Sequence, residues 1–522
     1  MNFYEILAAR ALAPASAVDA AIETQQGDET LAEALTRLGA LRRDQILTIE
    51  ASAAYAPPPP PRTLDEVGVS EGLLRSLLLK FMAVQACERV SELAEEIRLP
   101  HRIVEDLIAG AGDRKLVQSL GMAAEGLRAE IRFGLTDEGR RAADLAMAQC
   151  QYLGPAPVTL AAFQAQIARQ SIARESIPAE RLRAGLAGLV APETLVRRLL
   201  PAINAGRSML LFGPPGNGKT SVAARIGALF EQVIHLPHAV EVAGHIMKVF
   251  DPGLHRAVVE DDEWRALNGR RLVAERADDR WVPCRRPFVR AGGELDAGAL
   301  DLQFDPVAKF YDAPLHVKAL GGVFLIDDFG RQRIDPRLLL NRWIAPMEDR
   351  SDILHLHTGA SINLPFDALL VFSTNIDPQE IMDAAFLRRI PYKILFAAPD
   401  RADFRRLFVI EAAARNLELP EETFSAIVEA LTTRVDFGLA LFQPRFICEQ
   451  VAAIRRLYDM PPVITRELAM DALANLYVQL DDTSDSTPVS HSAAVPIVRF
   501  APRPPRRPAA IRAALQDSAP VG

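Results

Sequence analysis

A glycine-rich loop carries the clearest chemical signal in the sequence. It follows the apolar segment SMLLF, precedes the apolar segment SVAARIGALF, and reads Gly213, Pro214, Pro215, Gly216, Asn217, Gly218, Lys219 and Thr220, with Ser221 next. The spacing G-x-x-x-x-G-K-[ST] between a strand and a helix is that of a phosphate-binding loop. Its glycines let backbone N–H groups and the helix N-terminus face an anion. The loop predicts nucleotide binding, with Lys219 on the β- and γ-phosphates and the Thr220 hydroxyl on Mg²⁺.

A second buried strand ends in two carboxylates. The apolar segment Val323–Ile326 is followed directly by Asp327 and Asp328. Mg²⁺ is a hard cation that prefers oxygen ligands, so Asp327 is predicted to hold its coordination sphere, mostly through water. Asp328 is predicted to orient or deprotonate an attacking water. Together with the loop, these residues predict hydrolysis of ATP.

The order of these motifs resembles the AAA+ ATPases over about residues 177–477. LVFSTN, which ends at Asn375, is similar to the family's sensor 1 strand, and DAAFLRRIPYKI resembles the segment with its arginine finger. The resemblance implies that Asn375 positions the lytic water, and that Arg389, or alternatively Arg388, acts on the γ-phosphate of a neighbouring subunit. FQPRFICEQV is similar to sensor 2 and implies that Arg445 contacts the nucleotide. ATP and Mg²⁺ as cofactors, and a hexameric ring of this chain, are further implications.

The segment before sensor 1 indicates which branch of the AAA+ family the chain resembles. SDILHLHTGASINLPFD alternates apolar and polar residues on both sides of a turn at residues 357–360, which predicts a β-hairpin. Such a hairpin resembles the AAA+ branch of MoxR-type chaperones, magnesium chelatase subunits and minichromosome-maintenance helicases. The long stretch before Asp327 has room for an insertion. Its aromatic residues are predicted either to grip a threaded polymer or to pack in a core. These residues are Trp281, Phe288, Phe310 and Tyr311.

Two features depart from the family's pattern. Asp328 stands where the family usually has glutamate, and a side chain one methylene shorter predicts slower turnover. The sequence also lacks an aromatic-glycine pore signature, so threading of a substrate is not predicted. A slow-hydrolysing, nucleotide-dependent scaffold therefore stays open as an alternative.

The length of 522 residues predicts several domains, because a domain usually has about 150. The predicted fold class is a multidomain chain: an α/β P-loop NTPase core of the AAA+ type with an all-helical lid, preceded by a small helical domain and a winged-helix-like domain. The predicted boundaries are 1–55 for a helical docking module, 56–62 for a polyproline linker, 63–153 for the winged-helix-like domain, 154–176 for a connector, 177–400 for the α/β domain, 401–477 for the lid and 478–522 for a disordered tail.

Within residues 177–400, four apolar segments are strand candidates for a parallel sheet covered on both faces. They are residues 208–212, 232–236, 323–326 and 368–374. The lid is predicted to contain helices near 403–416, 421–433, 444–458 and 465–477.

The first 55 residues suggest a partner. LAEALTRLGALRRDQILTIEA is similar to the docking modules of type II secretion and type IV pilus assembly ATPases, although its leucine pattern fits a generic helical adaptor equally well. The five prolines at 57–61 predict a stiff extended spacer that holds this module away from the rest. The resemblance implies an unidentified protein client, such as a secretion, pilus or membrane-associated assembly.

Residues 63–153 read as three helices, two strands and a fourth helix. The predicted helices are 73–90, 91–97 with Ser91 as N-cap, 100–109 and 136–148, and the predicted strands are 115–120 and 130–135. RFGLTDEGRRAADLA is similar to the wing-to-helix passage of bacterial transcription regulators, which implies DNA binding by the third helix. Residues 91–116, however, carry six acidic and four basic side chains, and a helix that faces phosphates needs a positive surface. Protein docking is therefore predicted, with DNA as the alternative.

The composition argues against several classes of protein. Acidic residues exceed basic ones by 67 to 59, for a net charge of −8, which argues against sequence-blind coating of nucleic acid. No apolar run approaches the roughly 18 residues that span a bilayer, and Glu5 and Arg10 interrupt the apolar N-terminus, unlike a signal peptide. Four widely spaced cysteines fit a reducing compartment. We expect a cytoplasmic protein without membrane insertion.

The leading hypothesis is an ATP-hydrolysing ring that remodels or assembles a protein complex, with the N-terminal modules recruiting the client. The alternatives are a DNA-directed ATPase or regulator that uses the winged helix, and the slow-hydrolysing scaffold.

The protein-remodelling hypothesis and the DNA-directed hypothesis predict different affinities for duplex DNA. A fragment of residues 63–153 should bind duplex DNA no tighter than about 10⁻⁴ to 10⁻⁶ M at physiological salt, because its acidic excess opposes phosphate contact. A fluorescence titration against mixed genomic duplexes measures this affinity. A sequence-selective complex near 10⁻⁸ M, the order of specific recognition, would favour the DNA-directed alternative.

Overall fold

The computed structural model describes residues 15–24, 31–41, 55–122, 130–189, 192–258, 277–434, 438–458 and 460–477. The predicted tail at 478–522 and much of the predicted docking module lie outside the described residues. The chain divides into two compact units, residues 1–472 and 473–522. Within the described ranges, no helix combines the length and apolar character needed to cross a bilayer.

The N-terminal region starts with the helices α1 (Ala15–Glu23) and α2 (Leu31–Arg37) and continues into the prolines. Residues 55–61, here called the proline strap, have neither helix nor strand, but they lie against later parts of the chain. The Pro58 carbonyl accepts the Asp278 N–H at 2.9 Å, and the Tyr55 hydroxyl accepts a hydrogen bond from the Arg286 guanidinium at 3.4 Å. The expectation of a spacer that stands away from the rest is therefore wrong at these residues.

The next segment has the predicted order of helices and strands, with one additional short helix at its start. Its elements are α3 (Leu64–Val67), α4 (Glu71–Val84), α5 (Val90–Ile97), α6 (His101–Asp113), β1 (Val117–Met122), β2 (Ile131–Leu135) and α7 (Asp137–Gln149). The two strands pair antiparallel. The predicted N-cap Ser91 is wrong, because α5 begins one residue earlier and Arg89 is its N-cap. The Glu92 carboxylate reaches back to accept the Arg89 N–H at 3.1 Å, which places the start of the helix there.

Strands and helices alternate through the connector and the main domain. Up to residue 291 the elements are β3 (Val158–Thr159), α8 (Leu160–Arg169), α9 (Ala179–Gly185), α10 (Glu193–Ala205), β4 (Met209–Phe212), α11 (Lys219–Gly227), β5 (Val233–Pro237), β6 (Ala239–Val242), β7 (His245–Lys248), β8 (Trp281–Arg285) and β9 (Phe288–Ala291). They are followed by β10 (Gln303–Phe304), β11 (Tyr311–Asp312), α12 (Leu315–Lys318), β12 (Val323–Ile326), α13 (Pro336–Asp349), β13 (Ser351–His355), β14 (Ser361–Pro365), β15 (Leu369–Thr374), α14 (Pro378–Ile381), α15 (Ala384–Leu387) and β16 (Tyr392–Leu395).

Five of the described strands form the central parallel sheet, in the order β16-β4-β15-β12-β9. Three of the four predicted strands are members of it. The predicted strand at 232–236 is not, because it becomes β5 and pairs antiparallel with β8 outside this sheet. The edge position belongs to β9 instead, and the opposite edge strand β16 had not been predicted.

Alternate residues of the central strands face opposite sides of this sheet. On β12, Val323 and Leu325 join one apolar cluster, while Phe324 and Ile326 join another. Residues from α10 and α11 complete the first cluster and residues from α13 complete the second. Both faces are therefore covered, as a parallel sheet requires, and the core has a P-loop NTPase-like α/β architecture.

The long stretch before Asp327 contributes most of a second sheet. Among the described residues its strand order is β10-β11-β7-β6-β3, so the connector strand β3 and the insertion share one sheet. Trp281 and Tyr311 are buried, and Phe310 and Phe288 pack partly buried against apolar clusters. Core packing is thus the correct alternative for these four aromatics.

Residues 64–152 pack against the insertion through polar, aromatic and apolar contacts. The Tyr152 ring meets Phe310 edge to face at 5.8 Å, and the Lys309 ammonium donates to the Ala148 carbonyl at 2.6 Å. The buried Lys80 ammonium donates to the carbonyls of Cys150, at 3.0 Å, and Tyr152. Burial lowers the pKa of Lys80. The N-terminal segment and the insertion are therefore packed together.

The hairpin and the lid follow the predicted pattern. β13 and β14 pair antiparallel directly before β15, as the alternating sequence predicts. The helices beyond the central sheet are α16 (Arg401–Ala413), α17 (Glu421–Arg434), α18 (Gln443–Tyr458) and α19 (Arg466–Leu476). Their positions agree closely with the four predicted helices.

The buried ion pair between Arg280 and Asp278 provides a test of how the N-terminal segment, the connector and the insertion are joined. Arg280 donates to the Asp278 carboxylate at 2.8 Å, and also to the carbonyls of Val67 and Pro157, both at 3.3 Å. We predict that Arg280→Met costs about 3–5 kcal/mol locally, because it leaves Asp278 buried without its charge partner. Hydrogen exchange at the amides of residues 278–285 measures the loss.

An exposed ion pair supplies the control. Arg141 and Glu138 are 3.1 Å apart with side chains 74% and 62% exposed. Arg141→Met should cost less than about 1 kcal/mol, as surface pairs do. Equal protection at residues 278–285 in the two variants would contradict the role given to Arg280.

Candidate nucleotide-binding and catalytic site

The glycine-rich loop connects the end of β4 to the start of α11. Gly213, Gly216 and Gly218 have φ angles of 136°, 75° and 81°, a region that side chains rarely adopt. A Cβ atom at Gly213 would also collide with the Phe396 carbonyl that follows β16. These positions therefore require glycine, and the loop leads directly into the N-terminus of a helix, where anions bind.

Lys219 is buried at the first position of α11. Its ammonium donates to the carbonyls of Gly213 and Pro214, both at 2.8 Å, so it lies across the mouth of the loop. Burial lowers the pKa of the Lys219 ammonium, and the carboxylates of Asp328 and Asp327 oppose that shift. A phosphate in the loop would supply the anionic partner that the two carbonyls replace only in part.

Thr220 and Asp327 meet across the site, as predicted for two groups that share a cation. The Thr220 hydroxyl lies 3.0 and 2.9 Å from the two carboxylate oxygens of Asp327. Asp327 is buried at the end of β12, whereas Arg290 reaches it from β9 and places a guanidinium nitrogen 2.7 Å from Oδ2. The carboxylate that is predicted to ligate Mg²⁺ thus has a cationic neighbour of its own.

Asp328 and Asn375 are also brought together. Asp328 follows Asp327, and Asn375 follows the neighbouring strand β15, so both side chains lie at the carboxyl edge of the sheet. The Asn375 amide donates to Asp328 Oδ1 at 3.1 Å. The predicted base and the predicted sensor therefore form one hydrogen-bonded pair.

A cavity of about 830 Å³ contains most of the predicted site. The predicted residues that line it are Gly216, Asn217, Gly218, Lys219, Thr220, Ser221, Asp327, Asp328, Asn375 and Arg445. Arg445 projects from α18, where its guanidinium donates to Glu449 at 2.8 Å, a bond that raises the pKa of Arg445. Phe442 and Leu441 line the same cavity just before α18, so the helical region after the central sheet borders one side of it.

The two finger candidates lie elsewhere. Arg388 is exposed at the C-cap of α15, and Arg389 donates to the Glu348 carboxylate at 2.6 Å. Neither lines the cavity. Their position does not place them on the nucleotide of their own subunit, and the expected action across a subunit boundary stays a prediction.

The donor set fits a magnesium nucleotide. Thr220 and Asp327 offer hard oxygen atoms next to each other, and Lys219, the loop N–H groups and Arg445 provide positive partners for phosphate oxygens. No group of three or more metal-ligating His, Cys, Asp or Glu side chains occurs in the described part of the chain.

Sequence reasoning missed the roles of Arg290 and Asn217. Arg290 lies in the stretch that the sequence assigns to an insertion, because the sequence does not predict β9 as a strand of the central sheet. Asn217 occupies a variable position of the loop motif, yet its buried side chain accepts the Leu441 N–H at 3.2 Å and donates to the Ala397 carbonyl at 3.3 Å. It thus bridges the loop, the lid and the segment after β16.

Comparisons with known proteins identify only the lid region. Residues 400–475 match the model of a domain of unknown function, DUF8689. No curated protein matches the chain. The matched region coincides with the helices after the central sheet.

Solved structures show weak likenesses. NtrX from Brucella abortus matches in complex with ATP at a TM-score of 0.32 and 14% identity, over 63% of this chain and 59% of that chain. The NtrX complex with ADP matches at a TM-score of 0.32 and 13% identity, over 63% of this chain and 58% of that chain. The FIGL-1 AAA domain matches at a TM-score of 0.28 and 14% identity, over 56% of this chain and 78% of that chain. These TM-scores are too low to indicate a function for this chain.

The loop geometry generates a binding prediction. Lys219→Ala should weaken binding of Mg²⁺ and the fluorescent analogue mant-ATP by about 2–5 kcal/mol, because a charge-assisted phosphate contact is lost. Lys248→Ala, on the exposed end of β7, is the matched control and should bind normally. Unchanged affinity in a folded Lys219→Ala chain would contradict the assignment.

Proposed function

We propose that this protein is a Mg²⁺-dependent ATPase of the AAA+ type that assembles into a ring and remodels or assembles a protein complex. The observation that carries the proposal is the convergence of Thr220, Asp327, Asp328 and Asn375 at one edge of a parallel sheet, next to a glycine-rich loop. This is the arrangement expected for hydrolysis of a nucleoside triphosphate.

The residues divide the chemistry between them. Bound Mg²⁺ would neutralise charge that develops on the phosphates. Thr220 and Asp327 would hold the ion, and Lys219 would stabilise the β- and γ-phosphate oxygens. Asp328 accepts the proton of the attacking water or orients it, while the Asn375 amide fixes the carboxylate through Oδ1. Arg445 on the lid supplies a further positive charge at the cavity.

Ring assembly would complete this site. Arg389 lies outside its own cavity and is tied to Glu348 of α13, so a neighbouring subunit is the natural location of the phosphate it would contact. An arginine that enters a site in this way stabilises the charge of the transition state. Arg388 remains the alternative finger.

The N-terminal modules are proposed to recruit the client. Residues 64–152 pack against the insertion through the Tyr152–Phe310 ring contact and the bond from Lys309 to the Ala148 carbonyl, so a client bound to them would be connected to the ATPase core through packed residues. The acidic excess around α5 and α6 favours a protein partner over DNA.

Mixing of two inactive variants tests the ring. Arg389→Ala should bind ATP but hydrolyse it slowly, and Lys219→Ala should bind ATP poorly. Mixed rings should recover part of the activity, because an intact arginine of one subunit can face an intact pocket of another. Phosphate release at several mixing ratios measures the recovery.

The same mixing with Arg388→Ala distinguishes the two candidates, since only the true finger variant needs complementation. If no ratio restores hydrolysis while mass photometry shows mixed assemblies, the site works within one subunit and the ring proposal is wrong.

A further inference from the structure

We propose that Gln332 is the positioning residue that holds Asp328 in a left-handed backbone conformation, and that this conformation is the reason an aspartate stands at this position. The inference rests on the function proposed above, because it takes Asp328 as the residue that handles the attacking water.

Asp328 has an unusual backbone. Its φ angle is +49°, in the left-handed region that L-residues rarely adopt. Aspartate and asparagine tolerate this region better than other non-glycine residues, because their short polar side chains can hydrogen-bond locally. The longer glutamate lacks this advantage. The backbone at residue 328 therefore favours aspartate independently of the reaction.

One amide side chain fastens the turn that follows β12. Gln332 Nε2 donates to the carbonyls of Asp327, at 2.8 Å, and Asp328, at 3.2 Å. Gln332 Oε1 accepts the Gly330 N–H at 2.9 Å. Both ends of the amide are thus used on a turn of four residues. The Asp328 carbonyl, which also accepts the Arg331 N–H at 3.0 Å, is held in the turn in which residue 328 has a φ of +49°.

The sensor strand holds the other side of the same turn. The Phe329 N–H donates to the Ser373 carbonyl at 2.7 Å, and the Thr374 hydroxyl donates to the Phe329 carbonyl at 2.8 Å. Asn375 then fixes the Asp328 carboxylate. Gln332 and the end of β15 therefore clamp the turn from two directions.

Gln332 acts through Asp328 and not on the nucleotide. The residues that line the cavity include Asp327 and Asp328 but not Gln332. A side chain in this position can change the direction of the carboxylate without changing the contacts to the phosphates. Its loss should therefore affect kcat and leave nucleotide affinity unchanged.

The test uses the full chain with Gln332→Ala and Gln332→Glu. The glutamate variant keeps the shape and an acceptor but removes the donor to the two carbonyls. Both variants should lose about 10–100-fold in kcat, the range found when a group that orients a catalytic residue is removed, with unchanged KM and unchanged affinity for Mg²⁺ and mant-ATP. Arg333→Ala, at the exposed residue next to Gln332, is the control and should behave as wild type.

A double-mutant cycle separates positioning from general stabilisation. In an Asp328→Asn background, Gln332→Ala should cause no further loss of kcat, because it acts through the missing carboxylate. A further loss as large as in the wild-type background would overturn the proposal. So would an Asp328→Glu variant that hydrolyses ATP faster than wild type.

The left-handed conformation of Asp328 can be tested without measuring ATP hydrolysis. Asp328→Gly should melt at a higher temperature than Asp328→Ala, because glycine adopts a positive φ freely. Equal melting temperatures would overturn the backbone argument. If the wild-type chain neither binds mant-ATP nor hydrolyses ATP, the proposed function fails, and the melting comparison still decides whether residue 328 requires the left-handed conformation.

Discussion

The contact between the Thr220 hydroxyl and the Asp327 carboxylate is the interaction on which the rest of the site depends. It joins a helix that follows β4 to the end of β12, two strands separated in the sheet by β15. Because the three strands run parallel and in register, their carboxyl ends meet at one edge. Asp328 and the asparagine after β15 are placed by this shared edge.

The second sheet gives the chain a mechanical continuity that a flexible linker could not provide. The connector strand β3 pairs with β6 of the insertion, and residues 64–149 pack against the same region. From there a buried Arg286 binds Glu175 at 2.8 Å and also donates to the Gly321 carbonyl, shortly before β12. Packed residues thus connect the N-terminal segments to the strand that precedes Asp327.

Motifs with fixed spacing were predictable from the sequence, and long-range pairing was not. The loop, the Asp327 strand, the hairpin and the lid helices depend on local order and periodicity, which can be read directly. The position of β9 depends on which segment pairs with β12, and both β5 and β9 are short and apolar enough to serve. The same limit hid Arg290, whose partner is set by that pairing, and the packing of the prolines, whose composition indicates stiffness but no contact surface.

The proline strap also constrains the order in which the protein can be completed during synthesis. Arg280, beside the residue that receives the strap, donates to a carbonyl 213 residues earlier in the chain. At about 5–20 residues per second, the ribosome makes the intervening segment in roughly 10–40 s. During that interval the carbonyls of Pro58 and Val67 lack their donors from the insertion, so these hydrogen bonds can form only after the insertion has been synthesised.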